Sequence, residues 1–142
     1  MKACPFDKPP EDEIVYEDEL FRIIYNLKPI VPGHCLVVPR RHVASFQELS
    51  KYEHEQLLFA CQKVVQAFEK VYSTKHFDLA IQNGKDAGQV VMHLHVHLIP
   101  RIAGDIDEPW IKVLGESAER APATKEERTK QTLLLRKAML GN

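Results

Sequence analysis

Residues 93–97 read His93-Leu94-His95-Val96-His97, three imidazoles at every second position, with Leu98 continuing the alternation. Strict alternation of polar and apolar residues is the period of a half-buried strand, so Leu94, Val96 and Leu98 face a core and the histidines share the other face. At about 3.3 Å of rise per residue the imidazoles stand in a row, roughly 6.5 to 7 Å apart. Three chemistries fit this row. A solvated face that uses histidine by chance is the ordinary reading for one histidine and a rare one for three of the chain's seven. A metal site is the second, because neutral imidazole is a common ligand and strand histidines two residues apart can share an ion. It lacks partners close by, since no Cys-x-x-Cys pair or acidic residue adjoins the motif. The third is nucleophilic catalysis: one histidine attacks phosphorus while its neighbours bind anionic oxygens and stabilise transition-state charge.

What precedes the strand favours the third. Gln82-Asn83-Gly84 and Asp86-Ala87-Gly88-Gln89 form a glycine-containing bend that runs into the histidines, where backbone N–H groups can converge on a phosphate. The nearest cations in sequence are Lys85 and Arg101, so phosphate charge falls to histidine, to amide groups and to a Mg²⁺ carried by the substrate.

The elements that must hold these residues follow from pattern. Leu20–Tyr25 is rich in strand formers, Pro29 and Pro32-Gly33 mark a turn, and Cys35–Val38 resumes an apolar strand, which predicts an antiparallel pair. Ser50 and Glu53 have capping-box spacing, and Leu57, Cys61, Val64, Phe68 and Val71 recur at steps of four and three, predicting one long helix over about 50–72. Phe77–Gln82 reads as a strand. Residues 102–123 read as a long loop, and Thr124 with Glu127 opens a C-terminal helix over about 124–139. Residues 1–13, with three prolines among charged side chains, read as a mobile N-terminal arm. Together these predict one α+β domain over 1–142, with helices on one face of an antiparallel sheet.

Composition narrows the partners. A formal charge of −1 offers no general attraction to a nucleic-acid backbone or an anionic bilayer, so neither partner is expected. Nine of the first twenty residues are charged, leaving no signal-peptide core, and no later run reaches membrane-spanning length. Cys4, Cys35 and Cys61 are an odd number without paired spacing, which suits reduced thiols. The expected location is the cytoplasm, with the nucleus also open.

Over about residues 14–104 the chain resembles histidine triad proteins, and more closely their fragile histidine triad branch of diadenosine polyphosphate hydrolases. The likeness runs from Asn26-Leu27-Lys28-Pro29-Ile30-Val31-Pro32-Gly33-His34 through Gln82-Asn83-Gly84 to the histidines and Pro100-Arg101. It implies a histidine triad fold, a sheet shared across a homodimer and a nucleotidyl-histidine intermediate. It implies that His95 is the nucleophile and that His93 and His97 bind phosphate and stabilise the leaving group. Asn26 is similar to a ribose contact, Gln82 and Gln89 to phosphate-contacting amides, and Gly88 to Val91, with Val90 between, to the bend that approaches the phosphate. His34 matches a histidine beside the site or is an ordinary turn histidine, and Leu36 offers an apolar wall for a base.

Two positions depart from the family. Val90 stands where a hydroxyl residue is usual, so only its backbone N–H can serve the phosphate. Cys4-Pro5-Phe6-Asp7 stands where relatives often carry a zinc-binding Cys-x-x-Cys; with His42 and His93 it outlines a site that aspartate weakens, so no tightly bound metal is expected. The resemblance implies hydrolysis of dinucleoside polyphosphates, such as diadenosine triphosphate to AMP and ADP. Hydrolysis of nucleoside phosphoramidates or another nucleotidyl transfer is the alternative, and a slow nucleotide-binding signalling module is a third reading.

Overall fold

The computed structural model describes residues 4–141. Its strands are β1 (Ile14–Glu17), β2 (Phe21–Tyr25), β3 (Cys35–Pro39), β4 (Phe77–Ile81) and β5 (Val96–Pro100). All neighbours pair antiparallel in the order β1-β2-β3-β5-β4. Both α1 (Lys51–Tyr72) and α3 (Lys125–Met139) pack on one face of this sheet. The α+β architecture and its one-sided helices are those the periodicity implied. Strand β1, which the pattern did not mark, adds an edge beside β2.

The helix starts obey their caps. The Ser50 side chain accepts the Glu53 N–H while the Glu53 carboxylate accepts the Ser50 N–H, satisfying two donors that a helix start leaves orphaned. Thr124 likewise accepts the N–H of Glu127. Leu57, Cys61, Val64 and Phe68 then turn inward and meet Leu135 and Met139 of α3 and Val37, Val96 and Leu98 of the sheet. Each fully buried side chain of this size contributes roughly 1.5 to 3 kcal/mol. Because successive strand residues alternate faces, Ile24, Leu36 and Val38 point to the opposite side, where Phe6 and Ile14 cover them.

Two expectations change. The 102–123 loop contains a short helix, α2 (Trp110–Gly115), whose Leu114 is buried, so this stretch folds back on the domain. The arm is also held in place: Arg22 on β2 donates to the Phe6 and Asp7 carbonyls, and Phe6 packs edge-on against His93 and His95. Charge and proline exclude a long regular element there without excluding tertiary contacts; among the arm's described residues only the single turn Glu11–Glu13 is helical. The arm's residues 1–3 lie outside the described residues.

Candidate active site

The histidine segment becomes a strand only at Val96; His93 closes a bend and residues 94–95 are unpaired in the sheet, with the Leu94 N–H donated to the Val43 carbonyl. Leu94, Val96 and Leu98 enter the helix-side core as the alternation required. The opposite face is covered as well: His93, His95 and His97 are all buried. His97 pairs in register with Leu36 and Ala80, and its ring centroid lies 5.1 Å from that of His95.

Hydrogen-bond partners assign the proton on each ring, since a main-chain group fixes one nitrogen and leaves the other role to its mate. The Ile30 N–H donates to His34 Nδ1 (3.0 Å), so His34 Nε2 carries hydrogen and donates to His97 Nδ1 at 2.9 Å. His97 Nε2 therefore bears the remaining N–H, buried and without a protein partner among the described residues. His95 Nδ1 donates to the His93 carbonyl at 2.9 Å, which leaves the lone pair on Nε2. Burial pushes all of these rings toward the neutral form. It lowers His95, partly offset by its bond to the His93 carbonyl; it lowers His34 strongly; and with His95 and Arg120 it brings His97 down to about 3.

His95 and His97 line a cavity of about 440 Å³, within the range of small-ligand sites. Asn26, Leu36, Gln82, Gly88, Val90 and Val91 share its wall, joined by Ile24, Pro5 and Phe6. The Val90 side chain is 75% exposed at this wall, so it is not a core residue. At Gly88 φ is +98°, and a Cβ would lie 2.6 Å from Gln82 Nε2, so glycine both makes the bend and gives Gln82 its place.

Three sequence-based assignments move. His93 does not reach the cavity: its Nε2–H is donated to the Pro39 carbonyl at 2.7 Å, and Nδ1 faces the arm, so its contribution to the cavity passes through the carbonyl that orients His95. Gln89 is outside the cavity wall, because its amide accepts from the Gly84 N–H and donates to the Ala44 and Val91 carbonyls, bracing the bend from behind. His34 stands behind His97 and not in the wall, which gives it a place beyond that of a turn histidine.

Sequence proximity to the motif also misjudged the cations. Arg101 is taken by Asp78 and Asp105, whereas Lys8, Lys28 and Arg120 come from distant segments to line the cavity. No local pattern marks Arg120, whose Nε–H reaches the Lys28 carbonyl across 92 positions.

On the far side of His93, Cys4, Asp7 and His42 gather so that one ligand atom from each of the four lies within 4.8 Å of the others. The His93 Nε2–H bond to Pro39 turns the Nδ1 lone pair toward this cluster, and a sulfur, oxygen, two-nitrogen donor set suits zinc. An ion there would tie the arm to the histidine segment, away from the cavity.

Residues 8–104 match the HIT domain family. The bis(5'-nucleosyl)-tetraphosphatase [asymmetrical] of Schizosaccharomyces pombe is 43% identical over 108 residues, 75% of this chain and 59% of that protein. The bis(5'-adenosyl)-triphosphatase of Dictyostelium discoideum is 37% identical over 126 residues, 89% of this chain and 85% of that one. The crystal structure of the Caenorhabditis elegans NitFhit protein superposes with a TM-score of 0.77 at 32% identity, covering 91% of this chain and 28% of that one. The family match covers well over half of the sequence and contains His34, His93, His95 and His97, so the chain belongs to the HIT domain family.

Proposed function

We propose that the protein hydrolyses dinucleoside polyphosphates such as diadenosine triphosphate, releasing AMP and the remaining nucleotide. The carrying observation is that His95 and His97, ring centroids 5.1 Å apart, line one cavity with complementary nitrogens, a lone pair on His95 Nε2 and an N–H on His97 Nε2. In the first step His95 Nε2 forms a bond to the α-phosphorus as the phosphorus–oxygen bond to the leaving nucleotide breaks, and that oxygen keeps the electron pair. The His97 N–H stabilises oxygen charge as it develops, and being already oriented it costs little reorganisation. The hydrogen bond from His95 Nδ1–H to the His93 carbonyl steadies the ring as it gains positive charge. Water then attacks phosphorus, the nitrogen–phosphorus bond breaks, and His95 returns to its starting state.

The names of the two relatives, a tetraphosphatase and a triphosphatase, support this substrate class. Mg²⁺ is proposed to travel with the substrate and not with the protein, and Asp7 in a cysteine's place to keep zinc weakly held. A homodimer is supported by Phe77 and Leu79, each 44% exposed on edge strand β4, and by exposed Leu58 and Phe59 on α1. A reducing compartment, cytoplasm or nucleus, suits three free cysteines.

The test is product analysis with diadenosine triphosphate, diadenosine tetraphosphate and adenosine phosphoramidate side by side. AMP released fastest from a dinucleoside polyphosphate is the expected result. Turnover of the phosphoramidate alone would overturn the substrate assignment, and a long-lived complex without turnover would favour a signalling module.

A further inference from the structure

Arg120 is an arginine held in place without a countercharge. Its Nε–H donates to the Lys28 carbonyl at 2.9 Å, and one terminal nitrogen donates to the Val113 and Leu114 carbonyls at 2.6 and 3.1 Å. Carbonyls orient the guanidinium but do not neutralise it, and among the described residues no carboxylate pairs with it. The acidic residue of the cavity wall, Glu13, lies 3.8 Å from Arg128 instead. The second terminal nitrogen of Arg120 has no protein partner among the described residues. Two other arginines, by contrast, are neutralised: Arg101 is forked onto Asp105 and Arg41 onto Glu53.

Half-buried and unpaired, such a cation calls for an anion, and the site in which it stands is an anion's site. Arg120 lines the same cavity as His95 and His97. His97 supplies the N–H proposed for the departing oxygen. We propose that Arg120 binds the phosphates of the leaving nucleotide, which makes it a selectivity determinant for polyphosphate leaving groups over leaving groups without phosphate. This rests on the hydrolase reading given above. The segment from α2 to Arg120 thereby acquires a role as the carrier of that guanidinium, with Lys28 as its anchor.

The experiment compares wild type, Arg120→Ala and Arg120→Lys on diadenosine triphosphate and on a nitrophenyl ester of AMP, whose leaving group has no phosphate. A charged hydrogen bond lost in the transition state costs roughly tenfold to a hundredfold in rate. Arg120→Ala is expected to lose that factor in kcat/KM on diadenosine triphosphate and about threefold or less on the ester, with Arg120→Lys recovering part of the loss. Calorimetric binding of ADP and adenosine is measured in parallel, with ADP weakened at least tenfold by Arg120→Ala and adenosine nearly unchanged. Equal losses on both substrates, no loss on either, or unchanged ADP affinity would overturn the proposal. A lowered melting temperature with equal losses assigns Arg120 to loop anchoring alone. If wild type cleaves neither substrate, the hydrolase reading fails, while selective loss of ADP affinity still supports the anion site.

Discussion

Replacing His95 by alanine removes the free Nε2 and leaves most of the cavity wall untouched, so turnover is expected to fall below detection while nucleotide affinity stays within about tenfold. Rapid-quench kinetics and calorimetry check the two halves, and near-normal turnover removes His95 from the nucleophile's role. Val90 is a subtler case. Its side chain is largely exposed on the bend beside the cavity, so Val90→Thr adds a hydroxyl with little packing cost. A new hydrogen bond to the departing oxygen is worth about 1.5 to 3 kcal/mol, or ten- to a hundredfold in kcat/KM if made only in the transition state. The gain should be larger on a substrate with a poorer leaving group, where more charge needs stabilising. Equal rates for both proteins on both substrates would show that residue 90 does not address the phosphate.

At the level of elements, the arm is where chemistry and fold meet. Cys4 and Asp7 approach His93, but the proposed reaction runs on its other side, so Cys4→Ala is expected to leave activity and melting temperature nearly unchanged. Stoichiometric zinc in the purified protein, lost in that variant, would contradict this. The arm also explains what the sequence could and could not disclose. Alternation in 93–98 exposed the core face of this segment, of which only the part from Val96 is strand, and the capping spacing at Ser50 and Thr124 marked both main helices, because those signals are local. The fates of Phe6, Gln89 and Arg120 were not legible. Each depends on which remote backbone group satisfies or faces the side chain: the Ala44 carbonyl for Gln89, the Lys28 carbonyl for Arg120, the sheet's second face for Phe6. The short helix α2 escaped for a related reason, since the six residues Trp110–Gly115 carry too little periodicity to stand out.

For the molecule as a whole, the buried neutral histidines set a dependence on acid. The unfolded chain protonates histidine near its ordinary 6.5, whereas His97 folded does so only at about 3, and His34, His93 and His95 are also lowered. Between those limits the unfolded state binds more protons, so stability is complete above 6.5 and declines as pH falls toward 3. The urea midpoint should therefore drop between pH 7.5 and 5, and His97→Gln, which cannot charge, should shrink that drop; a flat midpoint in the wild type would contradict it. Sedimentation should give twice the 16.3 kDa chain mass, and Leu79→Lys on the edge strand should shift it toward one chain. The assignment of protons around the cavity has a heritable aspect. The groups that fix it, the Ile30 N–H and the Pro39 and His93 carbonyls, belong to the main chain, which nearly every substitution preserves. Side chains near the cavity can therefore drift toward new bases or leaving groups without rewriting which nitrogen attacks. Nitrogen NMR of the imidazoles should find the same pattern, Nδ1–H on His95 and Nε2–H on His34, His93 and His97, across variants whose substrate preferences have diverged.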